Sequence, residues 1–75
     1  MNSELKALIA DYKKIDIDTI TEDQNLMTDL GFTSVELYSL AGDVEDKFDI
    51  EFSDRDLPSI KTVGDLSSYI DAHHE

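Results

Sequence analysis

The sequence predicts a small all-α domain, a four-helix bundle of three long helices and one short, with a long loop after the first. Three observations carry this. Apolar residues recur at helical spacing in three separate segments. The chain has 75 residues, the size of one small domain, so residues 1–75 read as a single unit. The stretches that alternate like strands are short and lack a hairpin turn.

In the first segment Leu5, Leu8, Ile9 and Tyr12 fall on one stripe, with Asn2 or Ser3 available to cap the helix. A long connection follows from Lys14 to Thr33, and such length signals function or an additional element. Thr21-Glu22-Asp23-Gln24 is the place for a turn of helix within it, and Ile15, Ile17, Ile20, Leu26 and Leu30 are expected to pin it to the bundle. The second segment is the strongest: Leu37, Leu40, Ala41, Val44 and Phe48 repeat at helical spacing from Ser34 to about Lys47 or Asp49. Ser53 to Asp56 has cap-like spacing before Leu57-Pro58, which predicts the short helix, ended by the restriction that proline places on its neighbour. In the last segment Thr62 and Asp65 give a start signal, and Val63, Leu66 and Ile70 form the buried stripe with Tyr69 beside it. The tail Asp71-Ala72-His73-His74-Glu75 is expected to fray. Ile15-Asp16-Ile17 and Phe48-Asp49-Ile50-Glu51-Phe52 alternate and could pair as two strands, but an isolated two-stranded ribbon is marginal, so the helical reading is preferred.

Eighteen acidic residues stand against six Lys and Arg, a net charge of −12. Nucleic acid and anionic membranes are poor partners for such a chain, and basic protein surfaces are good ones. Self-repulsion predicts that salt, divalent cations or mild acid tighten the fold. There is no cysteine, so a disulfide framework and a thiolate metal site are excluded, and a reducing cytoplasm is compatible. No basic region leads into an apolar run at the start, and no apolar stretch approaches the roughly 20 residues needed to span a membrane. Neither secretion by an evident signal nor membrane insertion is expected.

Ser34, in Asp29-Leu30-Gly31-Phe32-Thr33-Ser34-Val35-Glu36, stands where a turn opens into the second helix. Thr33 and Glu36 have capping-box spacing, and Gly31 permits a positive-φ turn before them. Ser34 is then the first helical residue, its hydroxyl beside unpaired amides and the positive end of the helix dipole, where a phosphate ester would be favoured. Most Ser/Thr pairs before an apolar run simply start helices, so the motif needs the rest of the chain behind it. Other chemistries fare poorly. No Gly-x-Ser-x-Gly elbow is present, and the only histidines, His73 and His74, are adjacent on the tail. Asp16-x-Asp18 suggests a calcium loop, but Thr21 and Met27 occupy the positions that require glycine and glutamate.

The Asp-Leu-Gly-x-x-Ser turn, the acidic loop before it, the long helix ending at Phe48 and the segment Ile60-Lys61-Thr62-Val63 together resemble the acyl carrier protein family over essentially the whole chain. The resemblance implies that Ser34 carries 4′-phosphopantetheine through a phosphodiester, and that the arm's thiol holds acyl groups as thioesters. It implies a non-catalytic, monomeric, cytoplasmic carrier in fatty acid or related lipid or polyketide biosynthesis. Its partners would be a phosphopantetheinyl transferase and acyl-transferring and synthase enzymes with basic docking surfaces. The family's turn usually has Asp before the serine and Leu after it; here Thr33 and Val35 take those places, removing a charge that modifying transferases commonly meet.

The resemblance further implies docking on the second helix, where Glu36, Ser39, Asp43 and Asp46 form a stripe apart from the core stripe. Acyl chains in the family often bury between helices, and Leu40, Phe52, Ile60, Val63 and Leu66 are the candidate lining. Gly42, mid-helix at a cost of roughly 1 kcal/mol relative to alanine, shares a face with Val35 and Tyr38, and three readings stand: room for a partner or the arm, a helix loosened to admit an acyl chain, or simple tolerance. The contrasting class is an acidic helical interaction module that takes no prosthetic group.

Overall fold

Each of the three apolar stripes becomes a helix in the computed structural model, which describes residues 3–73: α1 (Ser3–Lys13), α2 (Ser34–Phe48) and α3 (Val63–His73). Leu5 and Ile9 of α1, Leu40 and Val44 of α2, and Val63, Leu66 and Ile70 of α3 are buried together, so the predicted stripes do meet. The long loop adds Ile20, Leu26 and Phe32 to the same core. Phe32 is among the largest fully buried side chains, stacked 5.4 Å from Tyr12 of α1.

Among the described residues the helix count is three α-helices and two short 3₁₀ turns, Ile17–Thr19 and Leu57–Ser59. Where the short fourth helix was expected, Asp56 and Leu57 donate backbone N–H bonds to the Ser53 carbonyl, and Ser59 and Ile60 then bond three residues back. Pro58 lacks an amide, so the α-type pattern does not continue, and Ile60 leaves in an extended conformation. In the first loop the helical turn lies at Ile17–Thr19 and not at Thr21–Gln24. Asp16 decides this: its carboxylate accepts from the Asp18 amide at 3.0 Å and its carbonyl accepts from the Thr19 hydroxyl at 2.6 Å. Thr21–Gln24 forms a single hydrogen-bonded turn, the Gln24 amide donating to the Thr21 carbonyl at 3.4 Å while Gln24 Oε1 accepts from the Thr21 amide at 3.0 Å. Ile15 and Ile17, expected to pin the loop, stand 38% and 37% exposed; Ile20 and Leu26 do the pinning.

Both alternating stretches prove to be helix exits. Lys14 and Asp49 adopt left-handed conformations, φ 56° and 55°, and the next amides, Ile15 and Ile50, reach back to the carbonyls of Ala10 and Glu45. This is the Schellman arrangement, here without glycine. The described residues contain no strand, only an isolated bridge between Asn25 and Thr62. At the other end of the chain α3 continues through Asp71 and Ala72 to His73, so these residues are helical and not frayed. The His73 ring lies 3.9 Å from that of Tyr69. The Asn2 cap and the last two tail residues, His74 and Glu75, lie outside the described residues.

Candidate functional site

The turn before α2 is built by backbone bonds that only glycine makes easy. Gly31 has φ +77°, its amide donates to the Met27 carbonyl at 3.1 Å, and Phe32 follows with a bond to the Leu26 carbonyl at 2.9 Å. Thr33 then caps α2. Its hydroxyl accepts from the Glu36 amide at 3.1 Å, and Glu36 Oε1 accepts from the Thr33 amide at 2.9 Å, completing the capping box read from the sequence. Ser34 is the first residue of the helix and is exposed. The first amides of a helix have no intrahelical acceptor, so an anion on Ser34 Oγ would meet donors and the positive end of the dipole.

A cation from α1 reaches the same turn. Lys13 Nζ lies 3.2 Å from the Gly31 carbonyl oxygen, 3.3 and 3.4 Å from the two Glu36 carboxylate oxygens, and 4.9 Å from the Phe32 ring centroid. The Thr33 amide bond, with Lys13 adding to it against some loss of hydration, holds the Glu36 carboxyl below the ordinary glutamate value.

An apolar groove of about 450 Å³ opens at Ser34. Met27 from the loop, Leu37 and Tyr38 from α2, and Leu57 and Ile60 from the 3₁₀ segment form its walls, and Lys61 adds a cation to the lining. Leu37, Leu57 and Ile60 also bound a small interior gap of about 20 Å³, whose other walls include Leu26, Leu40 and Leu66. The groove and the gap thus share one apolar partition. The segment carrying Leu57 is braced by α3: Phe52 stacks on Tyr69 at 4.7 Å, and the Tyr69 hydroxyl lies 3.2 Å from both the Glu51 carbonyl and the Asp56 carboxylate. Burial first, and Asp56 second, push the Tyr69 phenol above its ordinary value.

The candidate acyl-pocket residues divide accordingly. Leu40, Ile60 and Leu66 line the interior gap; Val63 is buried in the core away from that lining, and Phe52 is engaged by Tyr69. Of the candidate docking residues, Ser39, Asp43 and Asp46 are exposed, while Glu36 is partly buried and bonded. Gly42 is open: a β-carbon there would meet nothing within 4 Å. Sequence reasoning missed Lys13, Met27 and Lys61 as parts of the site. Lys13 is 23 residues from Glu36, so no local spacing signals the pair. Leu57 was visible only as a turn residue beside Pro58. Among the described residues no group of His, Cys, Asp or Glu could hold a metal ion, and Asp16 is occupied in capping its 3₁₀ turn.

A small helical domain with one exposed serine at the mouth of an apolar groove is the architecture of a domain that carries a covalently held group. The family described as "Phosphopantetheine attachment site" matches residues 3–70. An acyl carrier protein of Lactobacillus acidophilus is 44% identical over 71 residues, covering 95% of this chain and 89% of that one. An acyl carrier protein of Clostridium perfringens is 36% identical over 75 residues, covering 100% and 99%. A solved structure of a protein assigned as an acyl carrier protein in Mycobacterium tuberculosis superposes with a TM-score of 0.86 at 40% identity, covering 92% of each chain. The chain belongs to the acyl carrier protein family, whose prosthetic group is phosphopantetheine. The residues present fit that group: an exposed hydroxyl at a helix start, a 450 Å³ apolar groove beside it and a lysine on the groove wall.

Proposed function

We propose that Ser34 is the attachment residue and that this protein shuttles acyl thioesters between enzymes of fatty acid or related lipid or polyketide biosynthesis. The observation that carries the reading is the position of Ser34, exposed at the first residue of α2 and on the rim of the groove. When bound, 4′-phosphopantetheine supplies the thiol that holds the acyl group. The chain's own residues do the rest: Thr33 and Glu36 fix the helix start, Gly31 sets the turn, and Met27, Leu37, Tyr38, Leu57 and Ile60 offer an apolar surface along which an attached chain can lie. Leu40, Ile60 and Leu66 are the inner lining through which an acyl chain would enter, each buried CH₂ contributing about 0.8 kcal/mol at most.

We also propose that the four-helix description applies functionally, with residues 53–59 acting as the short fourth element that forms the groove's outer wall. Residues 1–75 act as a single domain, monomeric and cytoplasmic, without catalysis of their own. Among the described residues no helix is long and apolar enough to cross a membrane. The partners are a phosphopantetheinyl transferase and acyl-transferring and synthase enzymes, and the net charge of −12 favours basic docking surfaces on them, met by Ser39, Asp43 and Asp46. The test is intact mass after incubation with coenzyme A, Mg²⁺ and a broad-specificity transferase. One phosphopantetheinyl group on Ser34, absent in Ser34→Ala with helical content unchanged, is the expected result. An unmodified wild type across several transferases would leave the protein as an acidic interaction module, and modification at Ser39 or Ser53 would overturn the site.

A further inference from the structure

Glu36 is the acidic residue of α2 nearest to Ser34 in sequence, and it is already committed. Its carboxylate accepts from the Thr33 amide at 2.9 Å and faces Lys13 Nζ at 3.3 and 3.4 Å. The pair is only partly open to solvent, 19% for the Lys13 side chain and 32% for that of Glu36. Lys13 is itself held in place by the Gly31 carbonyl and the Phe32 ring. An ammonium this close cancels the carboxylate's field at any distance that matters for steering.

Asp43 and Asp46 are exposed in the C-terminal half of α2, and Ser39 between them and Ser34 is neutral. Close to Ser34 the exposed surface is instead apolar, with Val35 75% and Tyr38 63% exposed. At 1.5 Å per residue the first unmasked carboxylate of the stripe, Asp43, lies about 14 Å along the axis from Ser34.

From this arrangement we infer that Lys13 is a specificity-determining residue: it masks Glu36, moves the charged part of the docking face away from Ser34, and so disfavours partners that place a basic group beside the serine. The inference rests on the carrier reading above. It selects for a partner whose basic residues meet Asp43 and Asp46 while a less polar rim meets Val35 and Tyr38.

The experiment compares wild type, Lys13→Met, Lys13→Arg, Glu36→Gln and the Lys13→Met/Glu36→Gln double variant as substrates of a purified transferase with a basic carrier-binding face, at low and high NaCl. Masking predicts that removing either member uncovers the other: Glu36→Gln leaves the Lys13 ammonium uncovered and raises KM roughly three-fold or more at low salt. Lys13→Met lowers KM roughly three-fold or more at low salt with kcat little changed, and the gain disappears in the double variant and at high salt. Lys13→Arg, which keeps the cation, behaves as wild type. Melting curves establish that each variant is folded; if Lys13→Met does not fold, Lys13→Gln takes its place, and a KM left unchanged by removing the cation, or a double variant that behaves as Glu36→Gln alone, overturns the mask.

A parallel arm measures the Kd of the transferase for the same set carrying Ser34→Ala. The Glu36 and Lys13 pattern in Kd with an unmodified wild type would sink the attachment reading and keep the mask. Normal modification with a KM that removing Lys13 leaves unchanged would sink the mask and keep the attachment reading. Absence of both modification and binding would overturn both.

Discussion

The amide of Gly64 donates to the carbonyl of Glu22 at 2.8 Å, and a β-carbon on Gly64 would stand 3.0 Å from that same oxygen and 3.3 Å from the Glu22 β-carbon. Two further bonds run alongside: Val63 donates to Gln24 at 3.0 Å, and Leu26 donates to Lys61 at 2.8 Å. These three bonds fasten the long first loop to the start of α3. Because the same two segments carry Met27 and Lys61, both on the groove wall, the fastening also bears on the width of the groove beside Ser34.

Gly64→Ala should therefore destabilise, although alanine is the better helix former. The clash is with a hydrogen-bonded backbone oxygen that cannot turn aside, so overpacking should outweigh the propensity gain and leave a net loss of about 1–2 kcal/mol. Thermal unfolding checks it. A melting temperature equal to or above wild type would mean that the loop yields freely and does not define the groove.

How much of this was legible in the sequence follows from the range of each interaction. The stripes of α1, α2 and α3 and the capping boxes at Thr33/Glu36 and Thr62/Asp65 are set within four residues, and both kinds of signal appear where the spacing placed them. The ends of α1 and α2 lie where the spacing placed them, before Lys14 and within Lys47 to Asp49, but the left-handed conformation of Lys14 and Asp49 was not legible, because such exits usually announce themselves by glycine and here charged residues take it. Ile15 and Ile17 read as loop anchors by composition alone, but the Asp16 cap turns that segment outward. Lys13 with Glu36 and Gly64 with Glu22 meet only after the chain has folded, so no periodicity could have found them. The serine, a local feature, was visible; the groove beside it, a product of three distant segments, was not.

Gly42→Ala supplies the opposite sign. A β-carbon at Gly42 meets nothing within 4 Å, so the substitution gains helix propensity without a clash, about 1 kcal/mol, or roughly 4–8 °C in a domain of this size. Modification of Ser34 should proceed at the wild-type rate. A more stable variant that transfers poorly would show that Gly42 leaves space for a partner.

Stability should depend on pH through Asp65. The Lys61 amide, then the Thr62 amide, bond its carboxylate and hold its pKa below the ordinary aspartate value of 3.8. A carboxyl with a lowered folded-state pKa contributes stability above its unfolded value and loses that contribution as pH falls through the folded one. Asp65→Asn should accordingly melt a few degrees lower than wild type at neutral pH, and the gap should close as pH drops below 3.8. A gap that stays constant through the acid range would assign the loss to geometry and not to charge.

The last expectation concerns α2 as a docking face. Asp43 and Asp46 are exposed and lie on the stripe that runs from the Ser34 end of the helix. Reversing both to Lys should raise KM for a basic-faced transferase by roughly ten-fold or more at low salt, with the loss shrinking at high salt as screening removes the steering. Reversing Asp11 of α1 and Asp71 of α3, also exposed, changes the net charge equally from outside α2 and should matter less. Ser39→Glu, which restores a carboxylate between Glu36 and Asp43, should move KM the other way. Equal losses from the two reversals would mean that overall charge attracts the partner and that α2 holds no special place, whereas a normal KM for the Asp43 and Asp46 reversal would remove the helix from recognition and leave the apolar rim at Val35 and Tyr38 to do the docking.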